Sequence, residues 1–168
     1  TIVAYNDQED HDPSRDTMSW DDFVVFITEH ERTACDPCPG GKLCTAKFGD
    51  AWSPGVPREG ATRKNENVEF VSLLAFDFDH LDEDEADGVF NRLVNLKLVA
   101  HSSHSHLHGL LKDDETGEPA RAPEADYCFR VVLPLPRTLT PAEYPKVRRA
   151  FIEKYGLLAI SMGMLLKD

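Results

Sequence analysis

Two aspartates stand one residue apart at the end of an apolar run, in the tetrapeptide Phe76-Asp77-Phe78-Asp79. On an extended chain, alternation sends both carboxylates to one face, about 6.5–7 Å apart at Cα, and both phenyl rings to the other. Two acids so placed repel each other and cost desolvation unless a cation sits between them. They suit Mg²⁺ or Mn²⁺, hard ions that prefer oxygen ligands and share coordination with phosphate groups. The same spacing also fits a strand end entering an acidic turn, because Asp82, Glu83, Asp84 and Glu85 follow directly.

A second cluster reads His101-Ser102-Ser103-His104-Ser105-His106-Leu107-His108. Neutral imidazoles and hydroxyls hydrogen-bond a triphosphate, and a protonated imidazole also offsets its charge. The bland alternative is a solvated loop with an accidental histidine run. Arg130 lies inside the apolar run YCFRVVLPL, where a guanidinium needs an anionic partner: a substrate phosphate, or simply Asp77 or Asp79. Cys35, Cys38 and Cys44, with His30 five residues before the first, furnish four ligands suited to tetrahedral Zn²⁺. Free thiols in a Gly/Pro-rich loop are the competing reading, and Cys128 reads as a core residue.

The elements that must position these groups follow from pattern. Residues 1–5 read as a short strand, then a polar stretch, NDQEDHDPSRD. Ser19 opens a helix with Asp22 as its capping acid, and Trp20, Phe23, Val24 and Ile27 fall on one face before the pattern fades near His30. Residues 34–62, rich in Gly, Pro and Cys, read as an ordered loop. Residues 70–78 form a central strand. Asp82 caps a helix carrying Ala86, Val89, Phe90 and Leu93 at helical spacing. Residues 97–103 make a second strand; after a polar loop, 127–135 make a third. Thr140, Pro141 and Glu143 start a helix that runs to about Tyr155 and ends at Gly156, and LLAIS is a candidate fourth strand.

This order is that of a split βαβ unit, an α+β fold of the RRM-like kind: an antiparallel sheet with helices on one face. The first and third strands lie side by side at the centre, and the second flanks the third. Asp77, Asp79, the Ser-His cluster and Arg130 are therefore expected to converge. Residues 1–68, with helix 19–30 and the Cys-rich loop, form the N-terminal part of the domain, and 69–168 form its core.

The segments GATRKNENVEFVSLLAFDFD, VAHSSHSH and YCFRVVLPLPRTLTPAEY together resemble the archaeo-eukaryotic primase superfamily, in particular its plasmid- and phage-borne primase-polymerases. The resemblance covers roughly residues 60–155. The family's Asp-x-Asp motif is matched by Asp77 and Asp79, its Ser-x-His motif by Ser102 and His104, with Ser105-His106 adjacent, and its following basic strand by Arg130. The resemblance implies a DNA primase and polymerase of replication that transfers nucleotides with Mg²⁺ or Mn²⁺ held by Asp77 and Asp79. Ser102, His104, His106, Arg130 and Arg63 would grip the triphosphate. The implied partners are a DNA template and primer, nucleoside triphosphates, and a helicase or other replication protein. One departure stands out: the family's third acid is not matched in LLAISMGMLLKD, where Ser161 stands in its place and Asp168 is the nearby acid.

Two rival readings compete with this one. His106-Leu107-His108 fits the His-hydrophobic-His pattern of replication-initiator endonucleases, for which Tyr144 or Tyr155 would be the nucleophile. A catalytically degenerate DNA-binding initiator module is the non-enzymatic alternative. A net charge of -12 over 168 residues argues against broad, unspecific adhesion to nucleic acid. Local basic groups remain: Arg58, Arg63 and Lys64; Arg130 and Arg137; and Lys146, Arg148 and Arg149. The run TIVAYNDQED lacks the regions of a signal peptide, and no apolar run reaches the roughly 20 residues of a membrane helix, so a cytoplasmic protein without membrane partners is expected.

Overall fold

The structure, a computed structural model, describes residues 2–5, 14–28, 51–62, 64–102, 110–112, 119–121 and 127–157. Its backbone is organised by two long strands, β5 (Val68–Leu81) and β9 (Tyr127–Leu139). Their apolar side chains alternate so that Leu74, Phe76 and Phe78 meet Phe129, Val131 and Leu133 in one buried cluster. Between them run α2 (Glu83–Leu93) and the short strand β6 (Val99–Ser102). After β9 comes α3 (Tyr144–Lys154).

Each helix starts where its cap chemistry dictates. Asp82 accepts the Glu85 N–H at 2.8 Å, and the Glu85 carboxylate accepts the Asp82 N–H at 3.1 Å. This satisfies two of the amides that a helix start leaves unpaired. Thr140 and Glu143 make the same reciprocal pair, at 2.8 and 3.3 Å, although regular helix begins only at Tyr144. Gly156 ends α3 at φ 64°, a left-handed conformation that glycine adopts without steric cost. The first helix, α1 (Trp20–Thr28), is entered through Ser19, whose hydroxyl accepts the Asp22 N–H at 3.1 Å.

The main sheet is antiparallel in the order β4-β5-β9-β6, where β4 is Gly55–Pro57. The strand neighbours expected of the split βαβ order are present: β5 lies beside β9, and β6 flanks β9 on the other side. Because β5 and β6 both run antiparallel to β9, they are parallel to each other, and their C-terminal ends share one edge. The fold is mixed α+β.

The two helices that follow β5 and β9 share one face of the sheet, as expected, while α1 covers the other. Ala86, Val89 and Leu93 of α2, with Phe151 of α3 and Tyr155 just past its end, join the cluster around Phe76. Phe23 and Ile27 of α1 instead cover the opposite face, with Leu73, Val99 and Val132. Both faces of the central strands therefore bury apolar groups, which explains why the β9 sequence is continuously apolar and not alternating.

Short strands are the other departure. Residues 34–62 are not loop throughout: β3 (Ala51–Ser53) and β4 lie within them. The polar stretch after residue 5 contains β2 (Ser14–Asp16), which pairs with β1 (Ile2–Tyr5) in a small sheet ordered β2-β1-β3. The polar loop before β9 holds β7 (Leu110–Lys112) and β8 (Pro119–Arg121), paired antiparallel. The candidate strand LLAIS lies outside the described residues beyond Leu157. Among the described residues, no helix is long and apolar enough to cross a membrane.

Candidate active site

On the α1 face of the sheet, successive rungs change character. Ala75, Val132 and Val99 form one apolar rung across β5, β9 and β6. Two residues along, the next rung is Asp77, Arg130 and His101. Partners directly opposite in antiparallel strands share a face, with Cβ atoms about 4.5–5.5 Å apart, so a carboxylate, a guanidinium and an imidazole stand in a row. Nothing in their sequence separation brings them together; the register does.

Arg130 grips Asp77 with both ends of its fork. Nε donates to Asp77 Oδ1 at 2.5 Å and the terminal nitrogen to Oδ2 at 3.1 Å. Bidentate pairs of this kind are directional as well as attractive. The site is nonetheless wet: the Asp77 side chain is 53% exposed and that of Arg130 32% exposed, so the pair contributes on the order of 1 kcal/mol to stability. Of the partners open to Arg130 in the sequence, the structure shows Asp77.

Asp79 is exposed, one strand step beyond Asp77, and alternation sets it on the same face. Past Phe78 the ladder opens into a bulge, in which Asp79 and His80 lie opposite Cys128 before Leu81 pairs with Tyr127. His80 adopts φ 60°, and its N–H donates to Cys128 Sγ at 3.4 Å. Cys128 is fully buried, as a core residue should be. Bulges bend and twist a strand locally and occur often beside sites, where they re-aim a side chain. Here Asp79 is itself one of the two bulged residues.

The remaining expected site residues divide sharply. Ser102 is exposed at the end of β6 and pairs with Phe129, which belongs to the α2–α3 face. Register therefore sets Ser102 on the opposite face from Asp77. His104, His106 and Arg63 lie outside the described residues, as do His30, Cys35, Cys38, Cys44, Ser161 and Asp168. Thr62 and Lys64, which flank Arg63, belong to the connection feeding the N-terminal end of β5, roughly 25–30 Å along the strand from Asp77. Among the described residues, no group of three or more His, Cys, Asp and Glu side chains is placed to hold a metal ion.

Two further residues belong to the site: His101, named in the sequence only as the first of the histidine cluster, and Trp52, not named there. His101 occupies the rung itself. Trp52, on β3, places its ring 5.4 Å from the Arg130 guanidinium carbon and 6.0 Å from the His101 ring. The Phe23 ring from α1 stands nearly perpendicular to the indole, with centroids 5.2 Å apart. A strand-parity count would have separated His101 from Ser102; no sequence signal marks Trp52.

Tyr144 is fixed elsewhere. Beside the C-terminal half of β5, beyond the reach of short β4, its hydroxyl donates to the Ala75 carbonyl at 3.3 Å and accepts the Ala75 N–H at 3.4 Å. Burial pushes its pKa above 10.0. A phenol that is buried, edge-capping and hard to ionise is poorly suited to nucleophilic attack. Comparison of the chain with protein-family models, with curated proteins and with solved structures gave no match.

Proposed function

We propose that this protein is a metal-dependent nucleotidyltransferase of the primase-polymerase kind, extending a 3′-hydroxyl on a DNA template from nucleoside triphosphates. The observation that carries the reading is the rung Asp77–Arg130–His101 with Asp79 one step beyond it. Carboxylates that hold a hard cation stand beside a guanidinium and an imidazole that suit phosphate oxygens. The charge distribution supports an anionic partner: residues 127–157 hold Arg130, Arg137, Lys146, Arg148, Arg149 and Lys154 against only Glu143 and Glu153, in a chain of net charge -12. Arg137 is committed to Glu143, at 2.8 Å, and Arg130 to Asp77, which leaves Lys146, Arg148, Arg149 and Lys154 of α3 for nucleic acid.

Asp77 and Asp79 fit Mg²⁺ or Mn²⁺ by donor type and exposure, with phosphate oxygens and water completing the shell. Bound there, divalent ions would lower the pKa of the primer hydroxyl and offset charge on the leaving pyrophosphate. Arg130 turns its N–H donors to the triphosphate, and His101 supports it from β6. The 3′-oxygen forms the new bond to the α-phosphorus, the bond to the bridging oxygen breaks, pyrophosphate departs, and the hydroxyl proton passes to solvent. The position of Tyr144 weighs against the initiator-endonuclease reading insofar as that rests on Tyr144. The test is primer extension with Mn²⁺ on a DNA template. The wild type extends the primer, and an Asp77→Ala, Asp79→Ala double variant loses extension by at least a hundredfold; equal activity in the two would end the proposal.

A further inference from the structure

We infer that Trp52 is the positioning residue for Arg130, holding its guanidinium in place while Asp77 exchanges partners between that guanidinium and a divalent cation. The substrate half of this inference rests on the nucleotidyl-transfer reading; the structural half does not. Arg130 meets two neighbours through different surfaces. Its N–H edge is spent on Asp77, at 2.5 and 3.1 Å, and its carbon lies over the Trp52 ring at 5.4 Å. Contact with an indole face consumes no N–H donor, so it persists when the carboxylate turns away and leaves every donor for a phosphate.

Trp52 is itself braced for this task. Its backbone is registered with Ala4 of β1, and its ring meets that of Phe23 at an interplanar angle of 80°. The ring is half-buried, so it is neither core filler nor a free surface group. A long side chain released by the carboxylate would otherwise sample several rotamers. The indole keeps it on the rung, and divalent cation and triphosphate then bind cooperatively at Asp77 and Arg130.

The experiment uses the Arg130 Nε–Hε resonance, assigned by its loss in Arg130→Gln, in the wild type, Trp52→Phe and Trp52→Leu. It also measures dATP affinity by calorimetry with Ca²⁺, which supports binding without turnover. The expected result is a ring-current shift of the Arg130 signal that Trp52→Leu abolishes and Trp52→Phe largely keeps. Affinity for dATP falls about five- to tenfold in Trp52→Leu and less than threefold in Trp52→Phe. Affinity for Ca²⁺ alone stays the same in all three. An Arg130 resonance indifferent to Trp52→Leu overturns the inference, as does equal loss of dATP affinity in both variants, which would mark simple core support. A wild type that binds no dATP ends the nucleotidyl-transfer reading and the substrate half of this one, while the Arg130 resonance still decides the positioning half.

Discussion

Replacing Arg130 with Gln removes one positive charge from beside two carboxylates and leaves a planar amide in its place. A divalent ion on Asp77 would sit about 5 Å from the guanidinium, where a charge product of two gives a repulsion of about 1.7 kcal/mol at the dielectric of water and about 6.6 at an effective dielectric of 20. Exposure of Asp77 (53%) and Arg130 (32%) places the pair near the aqueous limit. Relief of about 1.7 kcal/mol corresponds to roughly ten- to twentyfold tighter binding of Mg²⁺ or Mn²⁺ without nucleotide. Affinity for dATP moves the other way, because the guanidinium donors are lost. Calorimetric titration of Mn²⁺ and then of dATP into both proteins measures each. Divalent affinity that is unchanged or weaker in Arg130→Gln would place the ion away from Asp77 and overturn this prediction.

Three further outcomes follow from the caps and the sheet edge. Glu143, held down to about 2 by the Arg137 guanidinium and then by the Thr140 N–H and hydroxyl, stabilises the fold above its ordinary value of 4.5, and that contribution is lost as pH falls towards 2. Melting curves from pH 5 to pH 3 should therefore show Glu143→Gln less stable than the wild type at pH 5, with the gap closing as pH falls. Asp82→Ala removes the reciprocal cap of α2 and should cost about 1 kcal/mol, seen as a melting point lower by several degrees. Tyr144→Phe leaves the Ala75 backbone groups without their hydroxyl and should cost about 1–2 kcal/mol, with faster amide exchange at Ala75 and unchanged primer extension.

What the sequence made legible was whatever local chemistry decides. The long apolar runs at β5 and β9, the capping pairs Ser19–Asp22, Asp82–Glu85 and Thr140–Glu143, and the stop at Gly156 each have a short-range physical cause. Strand order was also accessible, because two parallel strands flanking a third is the arrangement that a split βαβ order implies. The short strands were not legible. Three residues such as Ala51–Ser53 or Ser14–Asp16 carry no periodicity, and only their partners define them as strands. The face chosen by α1 was equally hidden, since an amphipathic helix specifies that it buries one side, not what it buries it against.

The candidate site shows the same division. That Asp77 and Arg130 would meet followed from strand order. Which of His101 and Ser102 joins them turned on a single step of register, and that step puts His101 on the rung and Ser102 behind the sheet. Trp52 was beyond reach because its place depends on a separate small sheet laid against the main one.

Manganese paramagnetic relaxation locates the cation itself, because Mn²⁺ broadens the amide signals nearest to it. With dATP present, broadening should centre on Asp77 and Asp79 and extend across the rung to Arg130 and His101. Broadening centred instead on the acidic start of α2, from Asp82 to Asp87, with Asp77 and Asp79 still sharp, would contradict it.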